Sequence, residues 1–187
     1  LCACNKNNAG GQPSSSTSET EESFPLSLLY CESDTVNPYT AVTNINVQLC
    51  QLIFDPLFKV NNSFEPINCL AESFELADKT CHVVIKNATF SDMTNVTADD
   101  IVYSFNLAKN SNTAYKAQLK DVVSCTTKDI KTVTFTLSSA DPYFVNLLDF
   151  PIIKKDSDKQ TTSDGAIIPP VGCGRFIFNE TLKILSP

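Results

Sequence analysis

The sequence predicts a mixed α/β fold, in which a mixed β-sheet is flanked by helices. Two hydrophobic patterns indicate this: some segments repeat apolar residues at helical spacing, and others alternate apolar with polar residues as half-buried strands do. The third observation is composition, since 42% of the 187 residues are hydrophobic and 19% are charged. Such a chain can bury a core, and its length suits one domain or slightly more.

The first predicted elements are a strand, a loop and a helix. The apolar run at 24–30 predicts the strand, and the polar segment at 32–38, which ends in Asn-Pro, predicts the loop. An amphipathic helix should follow and stop before Asp55-Pro56, because the residue before a proline disfavours helical geometry. Its apolar positions are Val42, Ile45, Leu49, Leu52 and Ile53.

A hairpin is predicted next, with strands around 74–76 and 81–86 joined at 77–79. One face of its second strand carries Cys81, Val83 and Ile85, and the other carries His82, Val84 and Lys86. No glycine occurs between positions 12 and 164. We therefore expect Asn87 and Met93 to hold turn positions that glycine usually takes.

The clearest local signal is a helix start at Thr97. This residue is a predicted N-cap, Asp100 completes an acidic form of the capping box, and Val96 is placed to pack on Ile101. The predicted buried face of this helix consists of Ile101, Phe105 and Ala108.

Strands are predicted at 119–125 and 132–137, and in the second strand apolar residues alternate strictly with threonines. Asp141-Pro142 predicts a further helix start, with aspartate as the cap and proline in the first turn. The buried residues of that helix should be Phe144, Leu147 and Leu148. A polar loop at 154–164 and a rigid turn at 169–174 lead to a last apolar strand around 176–178.

Composition and missing motifs exclude several function classes. The net charge of −7 argues against nucleic acid or an anionic membrane surface as partner. The glycine gap excludes a P-loop, a dinucleotide-binding turn and a nucleophile elbow. His82 is the single histidine and falls in a predicted strand, and the Asp99-Asp100 pair is explained by the helix start. We therefore expect no enzymatic activity, no cofactor and no metal.

Six cysteines lie beyond the N-terminus. They allow three disulfide bonds in an exported protein, but several fall in apolar patterns, which favours buried free thiols. They are Cys31, Cys50, Cys69, Cys81, Cys125 and Cys173.

A binding module is the remaining function class. Loops at the ends of strands form ligand crevices in open α/β sheets, and the segments 32–38 and 172–174 are candidates, with simple connection as the alternative. Tyr103 and Tyr115 either stack on a ligand or belong to the core.

The N-terminal residues Leu1-Cys2-Ala3-Cys4 read like the end of a bacterial lipoprotein signal. Cys4 is the predicted lipidated residue, with Cys2 as the alternative. Residues 5–23 are rich in Asn, Gly, Ser, Thr and Glu, which suits a flexible tether. An ordinary disordered N-terminus is the competing interpretation. The predicted boundaries are therefore 1–23 for the tether and 24–187 for the folded part.

Several segments together resemble one protein family. The segment 90–104 is similar to the pattern F-x-D-G-x-x-[LV]-T-A-x-D-V-x-[YF]-S, and 70–74 is similar to L-A-E-S-W with Phe74 for tryptophan. Segments 53–58, 132–148 and 170–174 resemble further blocks in the same order. The resemblance is to the extracellular solute-binding proteins of family 5, the peptide-binding components of ABC importers, and spans about 26–185. Met93, Asn87 and Arg175 depart from its turn pattern.

This resemblance implies a type II periplasmic-binding-protein-like lobe with an appended subdomain, incomplete relative to the two-lobe fold. It implies capture of an oligopeptide or dipeptide outside the cell, with ABC permease subunits as partners. The chain would be a monomer held by its lipid anchor at the outer face of the cytoplasmic membrane. By position, the substrate-binding residues would be Ser33, Asp34, Val42, Thr43, Asn44 and Tyr115.

Alternatives to peptide transport stay open at this point. The family also handles nickel, haem and oligosaccharides, and a tethered surface interaction domain without a transport role is a second class. A chain that supplies one lobe alone should bind its ligand weakly or not at all.

Overall fold

The computed structural model describes residues 28–179 and 184–186. A helix, α1 (Asn44–Ile53), comes first, followed by a short hairpin of β1 (Phe58–Val60) and β2 (Pro66–Asn68). Two longer strands, β3 (Ala71–Ala77) and β4 (Thr80–Ile85), precede the helices α2 (Ala98–Asn110) and α3 (Ala114–Gln118). The strands β5 (Val122–Asp129), β6 (Thr132–Leu137), β7 (Ile177–Asn179) and β8 (Ile184–Ser186) complete the order.

The central sheet has four strands in the order β3-β4-β6-β5. Its inner face packs on α2, where Phe105 meets Phe135 with ring centroids 5.8 Å apart, and Phe135 meets Phe144 at 5.6 Å. Helices flank the sheets, so the predicted α/β class is confirmed. The strand pairs described are all antiparallel, however, so the expected mixture of parallel and antiparallel pairing does not occur within them. Hairpin connections explain this, since they join antiparallel neighbours.

The predicted hairpin and the capped helix are both confirmed. In β4 the side chains alternate, with Cys81, Val83 and Ile85 buried. At the start of α2 the Asp100 carboxylate accepts hydrogen bonds from the Thr97 backbone N–H at 2.9 Å and from its hydroxyl at 2.7 Å. Met93 has a φ of 66°, as its place in a turn predicts. Asn87 does not have a positive φ, because the bend there needs no left-handed residue.

Helix α1 is confirmed, but its buried face differs from the prediction. The helix begins at Asn44, so Val42 lies before it and is 83% exposed, and Ile45 is exposed as well. Inside the helix the buried side chains are Asn46, Leu49, Cys50 and Ile53. Asn46 is buried because its amide fastens the preceding loop, donating to the backbone oxygens of Cys31 and Thr35.

Three other predictions are wrong. Residues 28–30 of the expected first strand form no strand, and 24–27 lie outside the described residues. Leu119 caps α3, so the strand predicted from 119 begins at Val122. The helix expected from Asp141-Pro142 is a short 3-10 helix, Phe144–Leu147. The Asp141 carboxylate accepts a hydrogen bond from the Tyr143 N–H instead of capping an α-helix. Pro151 limits how far a helix could continue along the chain.

The hairpin of β1 and β2 and the helix α3 were not predicted, because they are too short for a hydrophobic period. The expected last strand is present as β7. The six described cysteines are all free, in agreement with the favoured alternative. No helix in the described part of the chain is long and apolar enough to cross a membrane. The proposed tether, 1–23, and its Cys4 lie outside the described residues.

Candidate functional site

A concave site lies where α1 and α3 face the segment 149–151. Its volume is about 530 Å³. Helix α1 and the loop before it contribute hydrocarbon, a thiol and the amide of Gln51, whereas α3 and the residues before it contribute amide, hydroxyl and aromatic groups. The lining residues are Pro38, Ala41, Val42, Val47, Cys50, Gln51, Asn112, Thr113, Ala114, Tyr115, Gln118, Asp149 and Pro151. We call this space the α1–α3 cavity.

The α1 wall of the cavity is held by the carboxylate of Asp34. This carboxylate accepts hydrogen bonds from the Thr43 N–H at 2.7 Å, the Thr43 hydroxyl at 2.6 Å and the Val42 N–H at 3.1 Å. Burial raises the pKa of Asp34, but these hydrogen bonds together lower it by more, so the pKa lies below its ordinary value. A carboxylate at a helix N-terminus is favoured by the helix dipole. Asp34 therefore fixes the backbone from which Val42 projects.

The α3 wall is organised around Tyr115. Its ring meets the edge of Tyr39 at a centroid distance of 6.4 Å and an angle of 71°. Tyr39 is buried and its hydroxyl donates to the backbone oxygen of Pro151, so it fixes the surface against which Tyr115 packs. Burial, followed by the nearby Asp149 and Cys50, raises the pKa of Tyr115 to about 12. The phenol is therefore neutral at physiological pH.

The segment 149–151 forms the floor. The side-chain amide of Gln118 donates to the Leu147 carbonyl at 2.9 Å and also to the Asp149 carboxylate. Burial raises the pKa of Asp149, and the hydrogen bond from Gln118 partly offsets this. Behind the floor, the N–H of Ile152 donates to Asp55 and the N–H of Lys154 donates to Val171. These bonds tie the floor to the chain on both sides.

The structure brings together some of the six residues predicted to bind substrate. Val42 and Tyr115 both line the α1–α3 cavity, and Asp34, which is hydrogen-bonded to Thr43, also accepts a hydrogen bond from the N–H of Val42. Ser33 and Asn44 are exposed and do not line the cavity. The contact of Ser33 is with the Cys31 thiol, at 3.3 Å. A ligand role for the six residues stays a prediction.

Sequence reasoning missed Gln118 and Asp149. Nothing in the pattern around Gln118 distinguishes it from any exposed helical residue. Asp149 did carry a signal, because it is a charged residue inside the apolar run from Leu147 to Ile153. A charged residue within a buried segment is often part of a binding or catalytic site.

A second concave surface lies along the outer side of α1. It has a volume of about 510 Å³ and is lined by hydrocarbon and the side-chain amides of two glutamines. The lining residues are Leu28, Leu29, Ile45, Gln48, Leu49, Gln51 and Leu52. Because none of the described residues that line this second surface carries a charge or an aromatic ring, the α1–α3 cavity has the richer recognition chemistry.

Comparison with known proteins gives one family and a group of similar structures. Residues 65–183 match the family described as bacterial extracellular solute-binding proteins, family 5 Middle. No curated protein sequence matches the chain significantly. Among solved structures, the Escherichia coli murein tripeptide binding protein MppA is similar with a TM-score of 0.66 at 24% identity. The similarity covers 78% of this chain and 33% of that protein.

Two further structures have the same relation to this chain. The oligopeptide-binding protein AppA from Bacillus subtilis, in complex with a nonapeptide, has a TM-score of 0.64 at 24% identity and covers 77% of this chain and 31% of its own. NikZ from Campylobacter jejuni, in complex with Ni(L-His), has a TM-score of 0.61 at 19% identity, with coverages of 77% and 30%. The fold is thus of the type II periplasmic-binding-protein-like kind, and the chain spans about a third of the length of these structures.

Proposed function

Because the chain belongs to family 5 of the bacterial extracellular solute-binding proteins, we propose that it forms part of the substrate-binding component of an ABC importer. Its role is to hold one side of a bound solute, and it makes or breaks no covalent bond. The observation that carries the proposal is the α1–α3 cavity, which Val42 and Tyr115 both line from different parts of the chain. These two residues are among the six that the family resemblance assigned to substrate binding.

We propose a peptide as the solute. Two of the similar structures are peptide-binding proteins by description, and one holds a nickel complex. The lining of the α1–α3 cavity favours the peptide. Its described residues combine hydrocarbon, the Tyr115 ring, amides and the Asp149 carboxylate, which suits a backbone with mixed side chains. The single histidine, His82, lies in β4 and does not line it, so this wall has no imidazole for nickel.

Asp34 and Thr43 act in this proposal as positioning residues. Their hydrogen bonds fix the backbone at Val42, so a bound peptide meets a wall that is already ordered. Such preorganisation reduces the entropy cost of binding. Ser33 and Asn44 are exposed, and in this proposal they meet the ends of a longer peptide.

Attachment and partners are the second part of the proposal. Lipidation at Cys4 would hold the protein at the outer face of the cytoplasmic membrane, close to the permease subunits. The alternative, a tethered interaction domain, would keep the anchor but lose the peptide. Labelling cells with an alkyne fatty acid tests the anchor: a label on the wild-type protein should be absent from Cys4→Ser and retained in Cys2→Ser.

Calorimetric titration with tri- to nonapeptides tests solute binding. Since the chain spans about a third of the similar structures, we expect weak affinity, with a Kd between about 0.1 and 5 mM. Tyr115→Ala should weaken binding by about tenfold or more, because it removes the aromatic contact. Tyr143→Ala is the matched control, since Tyr143 is 73% exposed and lines none of the cavities described.

Two results would contradict the proposal. One is the absence of heat with every peptide while Ni(L-His) binds. The other is peptide binding that Tyr115→Ala leaves unchanged, which would place the peptide elsewhere.

A further inference from the structure

Among the residues that the structure describes, Asp149 is the one charged residue that lines the α1–α3 cavity. It follows the buried Leu148 and precedes the buried Phe150, so its backbone is held in the core while its carboxylate faces the cavity. Gln118 donates a hydrogen bond to one carboxylate oxygen and also binds the Leu147 carbonyl. The position of the carboxylate is therefore set by a neutral amide.

No cation neutralises this carboxylate within the described part of the chain. The ion pairs found there join lysines to Asp55, Asp92, Asp99, Asp121 and Asp156. Burial raises the pKa of Asp149, and no positive charge contributes to lowering it. A partly desolvated carboxylate without a cationic partner is unfavourable, and it gains free energy when a cation arrives.

The other titratable groups that line the cavity do not supply that cation. Burial raises the pKa of Cys50 to about 12 and, together with the charge of Asp149, that of Tyr115 to about 12, so both are neutral near pH 7. Asp34, beside the α1 wall, is an anion and uses its carboxylate for the hydrogen bonds to Thr43 and Val42. The Tyr115 ring meanwhile offers a π face, which attracts ammonium and guanidinium groups.

We propose that Asp149, Gln118 and Tyr115 form a cation-binding subsite, which makes the α1–α3 cavity selective for peptides that carry an ammonium or guanidinium group. Asp149 supplies the charge, Gln118 orients it and Tyr115 covers the cation. The choice of peptides as the substrate class rests on the proposed function, whereas the affinity for a cation rests on the cavity alone.

Titration by NMR of the ¹⁵N-labelled chain tests the subsite with three peptides. Blocked Ac-Ala-Lys-Ala-amide presents a side-chain ammonium, Ala-Gln-Ala-amide with a free N-terminus presents an α-ammonium, and Ac-Ala-Gln-Ala-amide presents neither. We expect at least one of the two cationic peptides to bind about tenfold more tightly than the neutral one, and the comparison shows which cation the subsite takes.

Asp149→Asn should remove this preference, because it keeps the hydrogen bond from Gln118 and loses the charge. Asp149→Glu should retain it in part. Asp78→Asn is the matched control: it makes the same charge change in the turn between β3 and β4, where φ is 49° and asparagine is well tolerated. Equal affinity for cationic and neutral peptides in the wild type would overturn the subsite and leave peptide binding standing. A preference that survives Asp149→Asn would also overturn it.

Titration with n-butylammonium chloride separates the subsite from the proposed function. We expect it to lower the pKa of Asp149, read from the carboxyl ¹³C shift, and to shift the amide signals of Gln118 in the wild type only. If no peptide binds but butylammonium has these effects, the cation subsite is supported and peptide capture is contradicted. If butylammonium leaves both signals unchanged, the subsite is refuted.

Discussion

Replacing Gly174 or Gly172 with alanine introduces a methyl group where the chain passes directly over the end of α1. A Cβ at position 174 would lie 2.6 Å from the Ile53 oxygen and 2.8 Å from the Leu52 oxygen. At position 172 it would lie 2.3 Å from the Ile53 oxygen and 2.7 Å from the Phe54 ring. Cβ atoms do not approach other atoms within 3.0 Å, and most of these neighbours are backbone atoms that no rotamer change can move.

The expected loss of stability follows from the hydrogen bonds that hold residues 172–174 where they cross the end of α1. The N–H of Gly174 donates to Ile53 at 2.8 Å, the N–H of Phe176 donates to Leu52 at 3.1 Å, and the N–H of Ser91 donates to Gly172 at 2.9 Å. Moving the crossing outward stretches these bonds, each worth about 1 kcal/mol, and overpacking adds about 1–2 kcal/mol. Either substitution should therefore lower the free energy of unfolding by about 3–5 kcal/mol, a large share of a typical total of about 5–15 kcal/mol.

Urea denaturation followed by far-UV circular dichroism measures this change, with the m-value as a check on two-state unfolding. Gly165→Asn is the control, since in the described part of the chain no atom beyond its two chain neighbours lies within 4 Å of its Cβ position, and asparagine tolerates the φ of +86°. Its effect should stay below about 1 kcal/mol. A loss below about 1 kcal/mol in both Gly172→Ala and Gly174→Ala would refute the tight crossing.

Three further predictions concern the cap, an ion pair and the thiols. Asp100→Ala should lower the free energy of unfolding by about 3 kcal/mol in the same urea assay, because its carboxylate accepts three hydrogen bonds at the start of α2. An unchanged urea midpoint would contradict this prediction. Burial raises the pKa of Asp92, but the hydrogen bonds from Lys154 and Thr94, with the charge of Lys154, together lower it to about 2, so the stabilisation is present above pH 3.8 and lost as pH falls towards 2. For an exposed pair this loss of stability should be below about 1 kcal/mol. Acid unfolding curves of Asp92→Asn should therefore depend less on pH between 3.8 and 2 than those of the wild type. Burial raises the pKa of Cys50 and Cys81 to about 12, so iodoacetamide at pH 8 should label them only after denaturation, as read by mass spectrometry.

Local chemistry explains which elements could be predicted from the sequence. The capping box at Thr97 and Asp100 acts over three residues, and the alternation in β4 follows from one face of the strand being buried in the core, so both patterns can be seen without the fold. The 3-10 helix at 144–147 shows the limit. Asp141 and a proline look like a helix start, but the segment must return to the floor of the cavity within a few residues.

The α1–α3 cavity was only partly predictable for a related reason. Val42 and Tyr115 were reached through the family resemblance, and their exposure depends on where α1 begins and how α3 packs. Asp149 comes into the cavity through the extended segment 149–154, whose hydrogen bonds to Asp55 and Val171 are long-range. A local sequence pattern does not contain contacts between residues that are distant in the chain. The sequence therefore shows Asp149 as an unusual charge in an apolar run but does not show that it belongs to a site.

Mapping a bound peptide onto the chain tests the central claim most directly. With ¹⁵N-labelled protein and peptide up to about 10 mM, a concentration that reaches millimolar dissociation constants, every assigned amide reports its own surroundings. We predict shifts concentrated at 41–51, 112–118 and 149–151, the segments that line the α1–α3 cavity. Shifts confined to the outer side of α1 around Leu28 and Leu29, or no shifts with any peptide, would contradict the assignment of this cavity as the solute site.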